Sequence, residues 1–320
     1  MLAYDFPLIP FLFATALSVN GLRKRSLSPS GAAAAFLTGI SMLSLPLRTP
    51  GIALIVFYLL GSSATKRGKA RKATLEDGHD GAGAGYRTAA QVFSNSASAL
   101  VASLLWGALH APGYPGARTV SVALDVPGKA YNHGEWCPLD AGVNGGWSRT
   151  LLFVVLGHFA CCLGDTLASE LGILSPQPPI LLTTLRPVPP GTNGGLSTFG
   201  TLASLAGGLS MGVTMWFTLI IENAACRVEP GQSFNELALW GAFAGLAGSM
   251  LDSLLGATLQ ETAYSLTRKK IMLDGHGSRP GTPAGEDEEI KVVSGIDVLT
   301  NNQVNLISAT VMALALAYLA

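Results

Sequence analysis

Charged residues are scarce in this chain: they make up 12% of 320 residues, against 49% that are hydrophobic. A soluble domain of this size carries about 25% charged residues, so roughly half the usual water-facing charge is missing. Lys plus Arg balance Asp plus Glu at 20 each, leaving no basic footprint that would argue for nucleic acid as a partner. Cysteines number four, and no Cys/His spacing has the pattern of a zinc site. A Walker-type Gly-x-x-x-x-Gly-Lys-Ser/Thr motif is absent, which argues against a P-loop ATPase. Neither a long low-complexity tract nor a solenoid repeat is present. The 38 glycines have no fixed period and lie within apolar runs, so a collagen-like or disordered chain is excluded. In such runs small residues let membrane helices approach closely.

What the sequence does have is long apolar runs of about 17–25 residues, the length needed to cross ~30 Å of hydrocarbon. Mean hydropathy is +0.41. Eight runs can be read, roughly 4–20, 31–47, 50–65, 88–109, 148–169, 199–221, 236–258 and 303–320. The expected fold class is therefore all-α: a polytopic transmembrane helical bundle of about eight spans, within a range of six to nine, forming a single integral membrane domain over 1–320. The cluster Arg23-Lys24-Arg25 follows the first run instead of preceding it, unlike a secretory signal, and no Arg- and Ser-rich transit peptide precedes it. With eight spans, 15 of the 20 Lys and Arg fall on one face, in 21–30, 66–87, 170–198 and 259–302. The positive-inside rule makes that face cytosolic, with the endoplasmic reticulum as the default membrane.

Two loops stand out. Segment 110–147, rich in Gly and Pro, is expected to be a non-cytosolic insertion, and 271–300 a flexible cytosolic loop whose acidic run is solvated. Cys137 and Cys226 both land on the non-cytosolic side, where an oxidising compartment could join them or leave two free thiols. Cys161 and Cys162 lie within the fifth span as packing residues.

Ionisable groups inside spans are costly, so they are functional candidates unless a neighbouring helix satisfies them. Asp165 lies in Gly164-Asp-Thr-Leu-Ala-Ser-Glu-Leu-Gly172, four residues before Ser169 and so on the same helical face. Glu170 lies close to the membrane surface. A carboxylate and a hydroxyl can hold Mg²⁺ by hard oxygen ligands, with water and a substrate phosphate completing the octahedron; a buried Asp bonded to a neighbouring helix is the plainer alternative. Asp252 is the only formal charge between Leu237 and Gln260, and Gly241-x-x-x-Gly245 just before it permits close packing. Close packing there would bring Asp252 towards the span of Asp165. Two converging carboxylates repel unless a cation or a shared proton intervenes, so a divalent metal and a proton relay both remain open.

Further candidates surround that pair. Thr192-Asn193-Gly194-Gly195, just before the sixth span, is either an ordinary turn or a phosphate cradle of backbone N–H groups. Arg186 in the same loop could clamp a phosphate. Lys66 and Arg67 end the third span, as topology signals that hold anionic lipid or as partners of a bound phosphate. Arg87, Gln91 and Asn95 recur every four residues, a polar stripe suited to a cavity.

These motifs together resemble the transmembrane protein 19 family: Gln91-Val-Phe-Ser-Asn95, Gly164 to Gly172, Gly191-Thr-Asn-Gly-Gly-Leu-Ser197, and Leu251-Asp-Ser-Leu-Leu-Gly256 with Gln260. That family includes a plant phytyl-phosphate kinase. The resemblance runs from about Ser26 to the final span and implies an isoprenoid lipid kinase, a membrane transferase distantly similar to CTP-dependent dolichol and phytol kinases. It implies site residues Asn95, Asp165, Ser169, Glu170, Thr192, Asn193, Gly194 and Asp252, with Gly195 in the same loop. The expected cofactor is Mg²⁺, held by Asp165 and Asp252, with Glu170 as an outer partner of the metal. The expected partners are a prenyl phosphate lipid, a nucleoside triphosphate (CTP or ATP), membrane lipids and a second copy in a homodimer. Two rivals are an ion-coupled or lipid transporter using Asp165 and Asp252 as a relay, and a non-catalytic scaffold.

Overall fold

In the computed structural model, which describes residues 6–76, 86–115, 117–124, 128–272 and 289–319, every one of the eight apolar runs is helical. In chain order the helices are α1 (Leu8–Arg23), α2 (Pro29–Leu43), α3 (Thr49–Lys66), α4 (Lys69–Leu75), α5 (Ala89–Ser94), α6 (Ala97–His110), α7 (Ala117–Leu124), α8 (Trp147–Gly172), α9 (Thr198–Glu222), α10 (Pro230–Leu259) and α11 (Asn301–Leu319). By length and composition α9, α10, α11 and the stretch Val143–Gly172 that contains α8 can each cross a membrane. Shorter apolar helices, α1, α2 and α6, accompany them. Starts are set by local chemistry: Ser28 caps α2 ahead of Pro29, Thr88 and Gln91 form a capping box on α5, and Ser197 caps α9.

The fourth run departs from the single span expected. The chain breaks at Asn95–Ser96, where Asn95 Nδ2 donates to the Gln91 carbonyl at 2.9 Å and Ser96 Oγ donates to the Val92 carbonyl at 2.8 Å. Side chains that bond nearby backbone compete with helix continuation, so α5 and α6 are separate.

α8 runs through the centre of the bundle and is buried almost without interruption from Leu151 to Gly164. Around it α9 and α10 pack backbone to backbone. A Cβ added at Gly164 would stand 2.7 Å from Gly245 Cα, and one at Gly245 would stand 2.7 Å from Gly208 Cα. Interfaces built from such small residues replace the hydrophobic drive that lipid does not supply.

At one end of the bundle, loop 110–147 folds back onto the helices. Trp106 Nε1 donates to Ser148 Oγ at 2.9 Å, and Asn223 Nδ2 donates to the Trp136 carbonyl at 3.0 Å. Of the two states open for the thiols, the disulfide is the one formed: Cys137 bonds Cys226, closing a separation of 89 residues. Burial among these aromatic rings pushes the Tyr131 hydroxyl up to about 12, so it stays neutral and accepts from Asn223 Nδ2 at 3.2 Å.

The opposite end carries two small sheets. β1 (Ile180–Leu181) pairs antiparallel with β2 (Gly195–Leu196), in the register Ile180 to Leu196 and Leu181 to Gly195. β3 (Thr262–Ser265) lies between β4 (Lys270–Met272) and β5 (Ile290–Ser294), both antiparallel to it. The segment read as a flexible loop over 271–300 thus contains strand at 271–272 and 290–294. The intervening residues 273–288, with most of the acidic run, lie outside the described residues.

The glycine contacts between helices generate a stability prediction. Gly245→Val should lower thermal stability in detergent, at a cost of roughly 1–3 kcal/mol or more for overpacking. Gly134→Ala, where an added Cβ meets nothing within 4 Å, should leave the melting temperature unchanged. Equal melting of both variants in a fluorescence-detected unfolding assay would refute the interlock.

Candidate functional site

The end of the bundle opposite the disulfide opens into a cleft of about 520 Å³, lined by the C-terminal ends of α8 and α10, the N-terminal ends of α9 and α11, and the hairpin before α9. Asp165 and Asp252 both line it. They arrive from α8 and α10, which pack against each other, and face the same cleft. Asp165 Oδ1 accepts from Ser249 Oγ at 3.4 Å across α8 and α10, and Asp252 Oδ2 accepts from Ser308 Oγ at 2.9 Å across α10 and α11. The Asn305 amide, oriented to donate, stands 3.3 Å from the same Asp252 oxygen and 3.0 Å from the Asn301 carbonyl. Each carboxylate is therefore aimed by a partner on another helix.

Ser169 shares the face of Asp165, as its spacing predicts, yet its hydroxyl is turned back to the Asp165 carbonyl at 3.0 Å. Glu170, expected as an outer partner of a metal, lines the same cleft and has a cation as its partner. It accepts from Lys72 Nζ at 2.5 Å, and the Lys72 side chain is 1% exposed against 21% for Glu170. Lys72 also donates to the Ala64 carbonyl at 3.4 Å.

Lys72 corrects the choice of Lys66 and Arg67, which are exposed and do not line the cleft. The cause is the turn after α3. Gly68 adopts a left-handed conformation at φ +66, and a Cβ there would run into Leu174, so only glycine fits. That turn folds α4 back under the bundle and swings Lys72 inward. Arg71 on the same helix donates to the carbonyls of Leu174 and Ser175, both at 3.0 Å, tying α4 to the end of α8.

Arg186 also lies outside the cleft. It sits exposed at the tip of the hairpin, past the left-handed Leu185, while its carbonyl accepts from Leu181 N at 2.9 Å. Of the polar stripe, Arg87 and Gln91 reach the cleft, whereas Asn95 lines an apolar groove beside it. Arg87 is held by Ser62 Oγ at 3.0 Å and by the Tyr58 ring at 5.8 Å. Burial draws its guanidinium below the ordinary arginine value, and Tyr58 and Glu170 oppose that shift.

Thr192, Asn193, Gly194 and Gly195 all line the cleft. Three of their N–H groups are already engaged: Thr192 N donates to the Pro189 carbonyl at 3.2 Å, Gly195 N to the Thr192 carbonyl at 3.0 Å, and Asn193 N to Thr262 Oγ1 at 3.2 Å. The segment is a rigid turn, not an open cradle of N–H groups. Gly194, at φ +77, lies so close to Ser253 and Ala257 of α10 that no Cβ fits. The loop is thereby pressed against the helix that carries Asp252.

The reading from sequence missed Lys72, Ser249, Asn301, Asn305 and Ser308. The last three did leave a signal: positions 301, 305 and 308 recur at helical spacing, a polar stripe on the final span like the one recognised on the fourth. Glu76 also lines the cleft, beside Gly191. Among the described lining residues, four carboxylates (Glu76, Asp165, Glu170, Asp252) stand with two cations, Lys72 and Arg87. Among the described residues no group of three or more His, Cys, Asp or Glu stands together as a ready-made metal site. The Asp165/Asp252 pair nevertheless supplies hard oxygen donors in a site short of positive charge, which suits Mg²⁺ completed by ligand oxygens and water.

The chain belongs to the family described as integral membrane protein DUF92, whose sequence profile matches residues 12–313. It is 33% identical to Protein PGR of Arabidopsis thaliana over 301 residues, covering 93% of this chain and 90% of that protein. An uncharacterized membrane protein of Synechocystis is 34% identical over 125 residues, 39% of this chain and 44% of the relative. One from Methanocaldococcus jannaschii is 32% identical over 130 residues, 41% of this chain and 46% of the relative. No solved structure matches. The family shown is this integral membrane one, coarser than the resemblance read from the motifs.

The Lys72–Glu170 pair yields a test of its own. Lys72→Met should destabilise the protein by roughly 3 kcal/mol, because it leaves a carboxylate without its buried partner. Combining Lys72→Met with Glu170→Gln should recover most of that loss. Chemical denaturation of the four proteins in a mutant cycle measures the coupling; additive losses would show that the pair does not interact.

Proposed function

We propose that the cleft transfers a phosphoryl group from a nucleoside triphosphate (CTP or ATP) to a prenyl monophosphate, making this a membrane lipid kinase of the prenyl-phosphate type. The observation that carries this reading is the convergence of Asp165 and Asp252 on facing helices, Asp165 aimed by a hydroxyl of α10 and Asp252 by a hydroxyl of α11, in a cleft that also holds Lys72 and Arg87. Phosphoryl transfer asks a protein mainly for positioning and charge balance. A lining with four carboxylates and two cations repels a polyanion that arrives alone, so cations accompany the nucleotide. Asp165 and Asp252 would hold Mg²⁺, which when bound would offset the negative charge of the phosphates.

The rest falls to the chain's own residues. Arg87 offers a planar fork of donors at the bilayer edge of the cleft, suited to a phosphate. The N-terminal ends of α9 and α11, whose dipoles favour negative charge, face the same space through Thr201, Ser204, Asn301 and Asn305. An acceptor that is already a phosphate monoester is anionic and needs no general base. Lys72 pairs with Glu170 and so offsets that carboxylate's repulsion of an incoming phosphate.

Orientation follows the same logic. Of the 19 Lys and Arg among the described residues, 14 lie in the segments 21–30, 66–87, 170–198 and 259–302 at the cleft end, and the disulfide closes the opposite end. Both observations support a cytosolic cleft and an opposite face in an oxidising lumen, and the endoplasmic reticulum is proposed as the membrane.

Purified protein in lipid, given prenyl phosphates of several lengths, Mg²⁺ and CTP or ATP, should form the diphosphate. Asp165→Asn and Asp252→Asn should each reduce turnover by at least about 100-fold while leaving melting temperature near that of the parent. Absence of turnover with every donor would overturn the proposal, and uptake of the phosphate into sealed vesicles would then support a transporter.

A further inference from the structure

Beside the cleft lies a second cavity of about 120 Å³, walled by α1, α2, α3 and α5. Far from the cleft its wall is hydrocarbon, including Ala14, Leu17, Leu43 and Leu54. Three residues, Arg87, Gln91 and Thr166, line both spaces, so the groove opens directly off the cleft. On α3 the lining runs from Gly61 back to Leu54, roughly 10 Å of helical rise into the apolar layer. The groove exists because the chain breaks at Asn95–Ser96: a continuous span would carry its side chains through this space.

The groove is not a sealed core. Ser18 Oγ, Thr38 Oγ1 and Asn95 Oδ1 line it and are buried without a partner in the protein, whereas self-contained cores satisfy such atoms almost always. A slot of about 120 Å³ takes a short stretch of one hydrocarbon chain, the part nearest the head group. At its mouth stands Arg87, whose guanidinium carries five donors, one of them given to Ser62 Oγ. The backbone of Arg87 is equally fixed, donating to the Ser26 carbonyl at 3.0 Å and accepting from Ser28 N at 2.9 Å.

We infer that this groove holds the hydrocarbon tail of a single-chain lipid phosphate, with Arg87 at the junction meeting the phosphate and the cleft receiving the head group. The inference rests on the proposed function for the nature of the head group; the site itself is defined by the groove. The phosphate stops at the point where hydrocarbon lining gives way to polar lining. Arg87 is a binding residue at that boundary, selecting a phosphate over an uncharged alcohol.

The test uses binding, with no nucleotide present. The full chain in nanodiscs is photolabelled with a C20 prenyl phosphate bearing a diazirine near the tail end, and adducts are mapped by peptide mass spectrometry. Adducts on α1, α2 and α3, displaced by unlabelled prenyl phosphate but not by the alcohol, are expected. Adducts confined to the lipid-facing sides of α9, α10 or α11, or displaced equally by the alcohol or by bulk phospholipid, would overturn the inference.

A variant gives a second measurement. A Cβ at Gly39 stands 3.6 Å from Ala14 Cβ, so alanine fits there and leucine fills the groove. Gly39→Leu should bind the C20 phosphate at least about ten-fold more weakly and a C5 phosphate as the parent does, with Gly39→Ala unchanged for both. Equal binding of the C20 phosphate by Gly39→Leu and parent would overturn the inference. Groove adducts without any diphosphate formation would sink the kinase reading and leave the groove standing. Turnover with adducts elsewhere would do the reverse.

Discussion

Backbone contact between α8, α9 and α10 is the constraint on which the rest of this structure depends. Gly164 directly precedes Asp165 and meets Gly245, seven residues before Asp252; Gly245 in turn meets Gly208. A bilayer offers no hydrophobic force to press helices together, since lipid tails are as apolar as leucine, so close packing must supply the attraction. With side chains absent at the crossing, the carboxylates one residue and two turns further along are carried together whether or not their charges agree. The packing thus supports a repulsive pair, and the hydroxyls of Ser249 and Ser308 turn each carboxylate into the cleft.

The two ends of the bundle are held in different ways. Opposite the cleft, a disulfide, an aromatic cluster and the Glu222 carboxylate, which accepts from Arg48 N at 2.8 Å and Thr49 Oγ1 at 2.6 Å, tie the loops to the helices. At the cleft end the ties are polar and local: Arg71 to the end of α8, Lys72 to Glu170, and Asn193 to β3. Those bonds stabilise separate walls of the cleft without crossing it. A ligand that spans the walls gains contacts from several elements at once, which is how a site assembled from helix ends achieves recognition.

Much of this was legible in the sequence, for reasons that can be named. The length and apolarity of the runs are dictated by the bilayer, so all eight helical regions could be read, and Gly241-x-x-x-Gly245 announced that Asp252 would approach another span. The cost of burying a charge marked Asp165 in the same way. What could not be read depended on single backbone conformations. Gly68 reverses the chain and delivers Lys72 instead of Lys66 or Arg67; Leu185, left-handed, leaves Arg186 outside; Asn95 ends a helix that composition alone would have continued. The engaged N–H groups of Thr192, Asn193 and Gly195 depend on partners as distant as Thr262, which no local motif reveals.

The charge balance of the cleft decides the order in which it can be filled. Under the proposed function, the four carboxylates and two cations of the described lining, with Lys72 committed to Glu170, would favour cations over a bare phosphate. A phosphate entering alone meets favourable charge at Arg87 only, on the bilayer side. A phosphate that brings counter-ions meets Asp165 and Asp252 as partners. Under the proposed function the same pair of carboxylates would separate two anionic ligands by what accompanies them, a lipid phosphate at the arginine and a metal-bearing nucleotide at the aspartates. Their charges would then be offset by different groups within one space, so that neither anion would have to overcome the other's field unaided.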